Sequence, residues 1–206
     1  MTTCFVPWSG VIIPVEKLSD AIEGNLACYL ELERLLNDFF TAFNFCYDRC
    51  LTPKRMQNGG LPVAVCCSDK YYLLFDLDHA AFERLRQERE RLYGKPWEHA
   101  WVNPVSPCEY HDPERGCILK SHKSPTCIAF LCRKAIDRLR TEFDIYFYDY
   151  LGVTYALEWV LSGILSEREY RELENDICTA ITKIKKQSGI QSPVSPIIGR
   201  PQTSPS

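Results

Sequence analysis

The chain has 206 residues, is 46% hydrophobic and 25% charged, and carries a formal charge of −3 at pH 7. This composition is ordinary for a soluble globular protein that builds its core without cross-links, and it supplies no overall basic field for nucleic acid or anionic lipid. A run of about 18 apolar residues, the minimum for a membrane span, does not occur, and the opening stretch, broken by Pro7 and Pro14, has neither the basic nor the sustained apolar region of a signal peptide.

From Val15 to about Tyr47 apolar residues recur at helical spacing, among them Ile22, Leu26, Tyr29, Leu32, Leu36, Phe39 and Phe43. Gly24 and Asn25 mark a candidate division of this stretch into two helices. A loop with Pro53, Asn58, Gly59 and Gly60 follows. Residues 61–75 read as strand in places, around Val63, Val65 and Tyr71 to Phe75. Leu77 to Tyr93 reads as a charged amphipathic helix ended by Gly94 and Pro96. Residues 94–124, with Pro104, Pro107, Pro113 and Gly116, read as irregular, and a loop of that length needs a function or a cross-link to order it. A long helical stretch begins at Pro125, with interruptions expected near Gly152 and Gly163. The last helix opens at Ser166, where Glu169 completes a capping box. After Gln187 the Ser- and Pro-rich residues read as a disordered tail.

Eleven cysteines in this length fall below the roughly 8–10% of small disulfide scaffolds. Their number is odd and no export signal is seen, so the reading is a cytoplasmic chain whose clustered thiols bind metal. Cys46 and Cys50, four apart at the end of a helical pattern, leave the same face. Adjacent Cys66 and Cys67 share one centre only in a turn. Cys108, Cys117, Cys127 and Cys132 follow at wider intervals. Ser124 fits an N-cap and Pro125 the first helical position, placing Cys127 in a first turn that favours a thiolate. Cys4, Cys28 and Cys178 stand outside the cluster, the last two read as small core residues. His111 and His122 lie within the cysteine-rich segment and are able to replace a thiolate, although a solvated loop histidine is the plainer reading of each. His79 and His99 read as surface or packing residues. The aromatics from Phe143 to Trp159 read as core, and Lys183, Lys185 and Lys186 as a helix end.

The segment CEYHDPERGCILKSHKSPTCIAFLC resembles the closing signature of the zinc- or iron-chelating CxxCxxxCC family. Cys66 and Cys67 match its vicinal pair, Cys108, Gly116 and Cys117 its middle element, and Pro125, Cys127 and Cys132 its end. The tight opening of the family is stretched here to Cys46-x3-Cys50 with fifteen residues before the pair, and its usual Arg before the proline is Ser124. The resemblance spans about residues 46–132 and implies metal binding more than any particular reaction.

The expected ligand set is therefore Cys46, Cys50, Cys66, Cys67, Cys108, Cys117, Cys127 and Cys132. All-thiolate donors select an iron–sulfur cluster or zinc, with the cluster favoured by apolar neighbours such as Ile118, Leu119, Ile128, Phe130 and Leu131. Radical chemistry with S-adenosylmethionine is excluded because Pro53 stands where CxxxCxxC needs its third cysteine. No CxxC exists for a thioredoxin-like site, and nothing singles out a Cys–His catalytic pair. The expected architecture is mainly α with irregular cysteine-rich loops, a small metal-centred domain with flanking helices. Its parts are an N-terminal helical segment (1–45), a cysteine-rich core (46–132), C-terminal helices packing on the core (133–188) and the tail (189–206). The function read from this is an accessory, metal-handling or maturation role toward another protein, without nucleic acid or membrane. The alternative is a metal-dependent redox or modifying enzyme acting on a partner protein.

Overall fold

A computed structural model describes residues 15–65, 72, 79–99 and 108–189. The chain is mainly helical. Helix α1 (Val15–Phe43) is followed by a single π-helical turn, Tyr47–Leu51, and by α2 (Thr52–Gln57). Helix α3 (Ala80–Tyr93) and a 3₁₀ turn at Pro96–Glu98 precede a short antiparallel hairpin, β1 (His111–Asp112) and β2 (Gly116–Cys117), in which His111 pairs with Cys117. Four helices complete the fold: α4 (Pro125–Ala129), α5 (Arg133–Phe143), α6 (Tyr150–Leu161) and α7 (Glu167–Gln187).

Helix α1, 29 residues and roughly 43 Å long, is the axis of the interior. It packs against α3, α4, α6 and α7. Leu26, Tyr29, Leu32, Leu36, Phe39 and Phe43 bury one stripe of it in a core completed by Leu85, Leu139, Leu157, Leu161 and Ile177. The expected division at Gly24–Asn25 does not occur. A helical glycine costs only about 1 kcal/mol relative to alanine, and the buried stripe runs through it. Asn25 is itself useful there, because its side-chain amide donates to the Leu161 carbonyl at 3.3 Å.

Local chemistry sets the other boundaries. Helix α3 begins at Ala80 rather than Leu77 because the His79 ring caps it, Nδ1 accepting from the Ala81 amide at 3.2 Å. The expected break near Gly152 lies earlier, at Asp144. Asp144 ends α5 in the left-handed region (φ 50°) and forms an ion pair with Lys183 of α7 at 2.7 Å. Gly152 instead sits in the first turn of α6, its amide held by the N-cap Asp149 at 3.0 Å. Ser166 and Glu169 form the expected capping box. No strand runs through residues 61–65; of the rest of that expected strand only Tyr72, in a turn, is described. The 94–124 stretch is not wholly irregular, since the 3₁₀ turn and the hairpin lie within it. The tail beyond Gly189 lies outside the described residues.

A smaller cluster, Tyr72, Tyr110 and Leu119, lies apart from the main core. Arg89 is buried against it, donating to the Tyr72 carbonyl at 2.7 Å, with its guanidinium 5.7 Å from the centres of both tyrosine rings. Among the described residues no helix is long and apolar enough to cross a membrane. The aromatic residues between 143 and 159 are only partly core. Phe143 and Tyr148 are buried, whereas Tyr146, Tyr155 and Trp159 are exposed, because α6 turns Val153, Leu157 and Val160 inward.

Two glycines on facing elements should respond oppositely to alanine. A Cβ on Gly24 meets nothing within 4 Å, so Gly24→Ala should stabilise by about 0.5–1 kcal/mol. Gly163 has φ +69° and its Cβ would stand 2.7 Å from Asn25 Nδ2, so Gly163→Ala should destabilise by about 1–2 kcal/mol. Urea unfolding of both variants checks the pair, and destabilisation by Gly24→Ala would argue for a real break in α1.

Candidate metal centre

The segment leading into α4 is held by its backbone. Tyr93 Oη accepts from the amides of Lys120 at 3.2 Å and Ser121 at 3.0 Å. Glu33, only 1% exposed, accepts from the next two amides, His122 at 2.8 Å and Lys123 at 3.2 Å. The Tyr29 hydroxyl donates to the Lys123 carbonyl, and Lys123 Nζ donates to Asn37 Oδ1 at 2.9 Å. Tyr29, Glu33 and Asn37 are spaced by four, one stripe of α1. That spacing was visible in the sequence, where a lone carboxylate within an apolar helical face marks a buried acceptor.

Ser124 then caps α4 with Pro125 behind it, as expected, its Oγ accepting from the Cys127 amide at 3.3 Å. The electrostatic expectation for Cys127 is overturned. Burial pushes its thiol up to about 12, and the nearby Cys108 and Cys117 thiols add to that, outweighing the hydrogen bond from Ser124 and the charge of Arg89. Helix α4 has only five residues, too short a dipole to offset lost hydration.

Cys46, Cys50, Cys127 and Cys132 line one cavity of about 320 Å³. Cys46 precedes the π-helical turn and Cys50 lies within it, so the expected common face is realised. Cys132 takes the N-cap position of α5, yet its sulfur does not cap. The walls are mostly apolar, with Phe40, Phe43, Phe45, Leu51, Ile128 and Leu131, and Val65, next in sequence to Cys66, reaches the same cavity. Cys66 and Cys67 themselves lie outside the described residues.

Cys108 and Cys117 frame the hairpin beside Cys127. Cys108 packs with Cys127 and Ile118 on the Tyr72–Tyr110–Leu119 cluster. Gly116 has φ +79° and its Cβ position is 3.3 Å from the Pro62 side chain, so the hairpin lies close against the segment that leads to Val65.

His111 is not the solvated loop residue expected. It is 3% exposed, its backbone amide donates to the Cys108 carbonyl at 3.0 Å, and burial lowers its ring pKa while the Val63 backbone opposes that shift. Its Nδ1 is buried without a hydrogen-bond partner. Cys117, its partner across the hairpin, is exposed. His122 has φ 59°, is half-buried and shares a 2.9 Å hydrogen bond with Ser121 Oγ.

Cys178 is exposed on α7 rather than a core residue, because α7 buries Ile177, Ala180 and Ile184 instead. Cys28 is buried as expected, but it is disulfide-bonded, unlike the thiols at the cavity and the hairpin. Among the described residues no three Cys, His, Asp or Glu side chains stand close enough together to hold one ion. The cavity itself offers soft thiol donors and apolar walls, but as the side chains lie they do not form an ion site. Comparison with protein-family models, curated proteins and solved structures finds no match to this chain.

Glu33 should prove to be the main support of this region. Glu33→Ala leaves two buried amides without an acceptor and should lower stability by about 3 kcal/mol. Burial raises its carboxyl above the ordinary value of 4.5. A raised carboxyl contributes stability that is complete below the unfolded value and declines as pH rises through the native one. The deficit of the non-titrating Glu33→Gln, measured by denaturant unfolding, should therefore be largest near about pH 4 and smaller near about pH 7. A deficit that grows with pH would contradict the burial argument.

Proposed function

We propose that the chain binds metal through clustered thiolates, as an iron–sulfur cluster or as zinc, and serves an accessory, metal-handling or maturation role toward another protein. The observation that carries this reading is that Cys46, Cys50, Cys127 and Cys132, from three separate local elements, all border one largely apolar cavity; as the side chains lie no three of them hold an ion, so metal would have to draw them together. The hairpin thiol of Cys108 packs with Cys127 on the small Tyr72–Tyr110–Leu119 cluster. The resemblance of residues 46–132 to the zinc- or iron-chelating family adds to the reading without specifying a reaction.

Bound zinc would supply structural cross-linking, and an iron–sulfur cluster electron transfer. The chain's own part is to present soft donors, exclude water with Phe40, Phe45, Ile128 and Leu131, and fix the α4–α5 elbow through Ser124. A thiol buried like that of Cys127 ionises readily only beside positive charge, and the nearby Arg89 supplies part of it. The apolar wall favours the cluster, whose potential depends on solvent exclusion, while a structural zinc site asks only for four closed donors.

Protein purified without oxygen should contain stoichiometric iron with acid-labile sulfide, or stoichiometric zinc. Cys178→Ala, on an exposed position of α7, should leave the metal content unchanged. Metal-free protein that is monodisperse and gives the same near-ultraviolet dichroism and thermal midpoint as the isolated form would refute the reading.

A further inference from the structure

We propose that the exposed aromatic face of α6 is a docking surface for this chain's own C-terminal segment, with Pro193 and Pro196 seated on the stacked rings of Tyr155 and Trp159. This surface involves none of the thiols and is independent of the metal-binding reading.

Helix α6 is composed for burial on more sides than it has neighbours. Glu158 is the only charged residue in its sequence, YLGVTYALEWVL. A helix that is apolar nearly all round belongs inside a protein. Val153, Leu157, Val160 and Leu161 do face the interior, where α6 packs on α1 and α4. Leu151, Tyr155 and Trp159, spaced by four, form a second stripe that is 48%, 51% and 46% exposed. The Tyr155 and Trp159 rings stack there with centres 6.5 Å apart and planes inclined by 24°. Tyr146, shortly before the helix, is exposed as well. Single exposed apolar residues are ordinary, whereas a continuous apolar patch marks an interaction site.

The occupant follows from where α7 delivers the rest of the chain. Lys183, near the end of α7, donates to the Asp144 carbonyl at 2.8 Å and pairs with the Asp144 carboxylate at 2.7 Å. Asp144 shortly precedes Tyr146 and the start of α6. The chain therefore leaves α7 at the end of α6 where the aromatic stripe begins. Residues 190–206 follow. At about 3.1 Å per residue in polyproline II they reach roughly 50 Å, against a length of about 18 Å for α6.

The chemistry of that segment fits the surface. Pro193 and Pro196 have the P-x-x-P spacing, with Val194, Ile197 and Ile198 beside them. Such segments dock in aromatic grooves because the polyproline II form is already stiff and loses little entropy on binding. The segment carries Arg200 and no acid, while the charged residues of α6 and its cap, Glu158 and Asp149, are both acidic.

The test uses the full chain labelled with fluorotryptophan and followed by fluorine NMR, the Trp159 resonance being assigned with Trp159→Phe. Joint replacement of Pro193→Ser and Pro196→Ser should move the Trp159 resonance toward its solvent-exposed position and leave that of Trp97 in place. A fluorescein-labelled peptide of residues 190–206 should bind this doubly substituted chain, and adding Tyr155→Ala should abolish that binding. The natural chain should bind the peptide roughly tenfold more weakly, because its own tethered segment competes at about millimolar effective concentration. The proposal is overturned if the double substitution leaves Trp159 unmoved, which means an open face. It is overturned too if the peptide binds both chains equally, which means a site for the proline-rich segment of another protein. A Trp159 resonance that reaches its exposed position when the natural chain is diluted likewise overturns it, since the occupant is then the segment of a second copy.

Discussion

The backbone from Lys120 to Lys123 runs between α1 and α3 as non-helical chain, and its amides need acceptors once they leave water. Tyr93 and Glu33 supply all of them, the former to Lys120 and Ser121, the latter to His122 and Lys123. Everything downstream inherits this placement. Ser124 is buried and caps α4, Tyr148 donates to the Ala129 carbonyl at the far end of α4, and α4 packs against α6. The position of the Cys127 sulfur is therefore set by a carboxylate and two phenols, with no contribution from any cysteine.

A second buried charge organises the other side. Arg89 lies between Tyr72 and Tyr110, and with the Tyr72 carbonyl and two aromatic faces it replaces only part of its lost hydration. Its Nε has no partner. A guanidinium left partly uncompensated in a low-dielectric interior raises the local potential, which favours anions nearby. Both Tyr29 and Cys127 feel it in that direction. The small cluster thus anchors the cysteine hairpin to α3, and the charge of Arg89 opposes the upward shift that burial gives the Cys127 thiol.

Much of the helical framework was legible in the sequence. The 3.6-residue stripe from Ile22 to Phe43, the Ser124–Pro125 start and the Ser166–Glu169 box each depend on neighbours within one or two turns, and local signals of that kind survive tertiary packing. The failures came where long-range contacts decided the outcome. Gly24 stays helical because of what α1 buries, and α5 ends at Asp144, which Lys183 of a distant helix holds. His111 is buried for the same kind of reason: the chain around it is polar and Pro-containing, and the hairpin lies against the distant Pro62–Val63 segment. For the candidate site, the helical spacing of Cys46 and Cys50 put both on one cavity, which Cys127 and Cys132 also line. The Glu33 stripe was readable too, but its partners His122 and Lys123 lie 89 and 90 positions away in the chain. The thiol chemistry of Cys127 was not readable, because the first-turn position argues for ionisation while burial, invisible in sequence, argues more strongly against it.

The π-helical turn at Tyr47–Leu51 connects these observations to the energetics of metal binding. Its wider ring spoils regular packing, and none of its residues is buried; such turns recur at functional sites because they re-aim side chains that a regular helix would misplace. Here the turn directs Cys50 to the cavity already bordered by Cys46. The large core, built by α1, α6 and α7, has none of the six described cysteines of the expected ligand set in its buried interior, although Cys46 and Cys132 pack against it. The π turn has no buried residue, and residues with so few buried contacts sit at the low-stability end of a fold. Structural zinc contributes on the order of 10–16 kcal/mol in small peptides, comparable with the roughly 5–15 kcal/mol that stabilises a whole domain. A metal held by these thiols, as proposed above, would add more than the contacts of the π turn itself, while the helical core is packed without it.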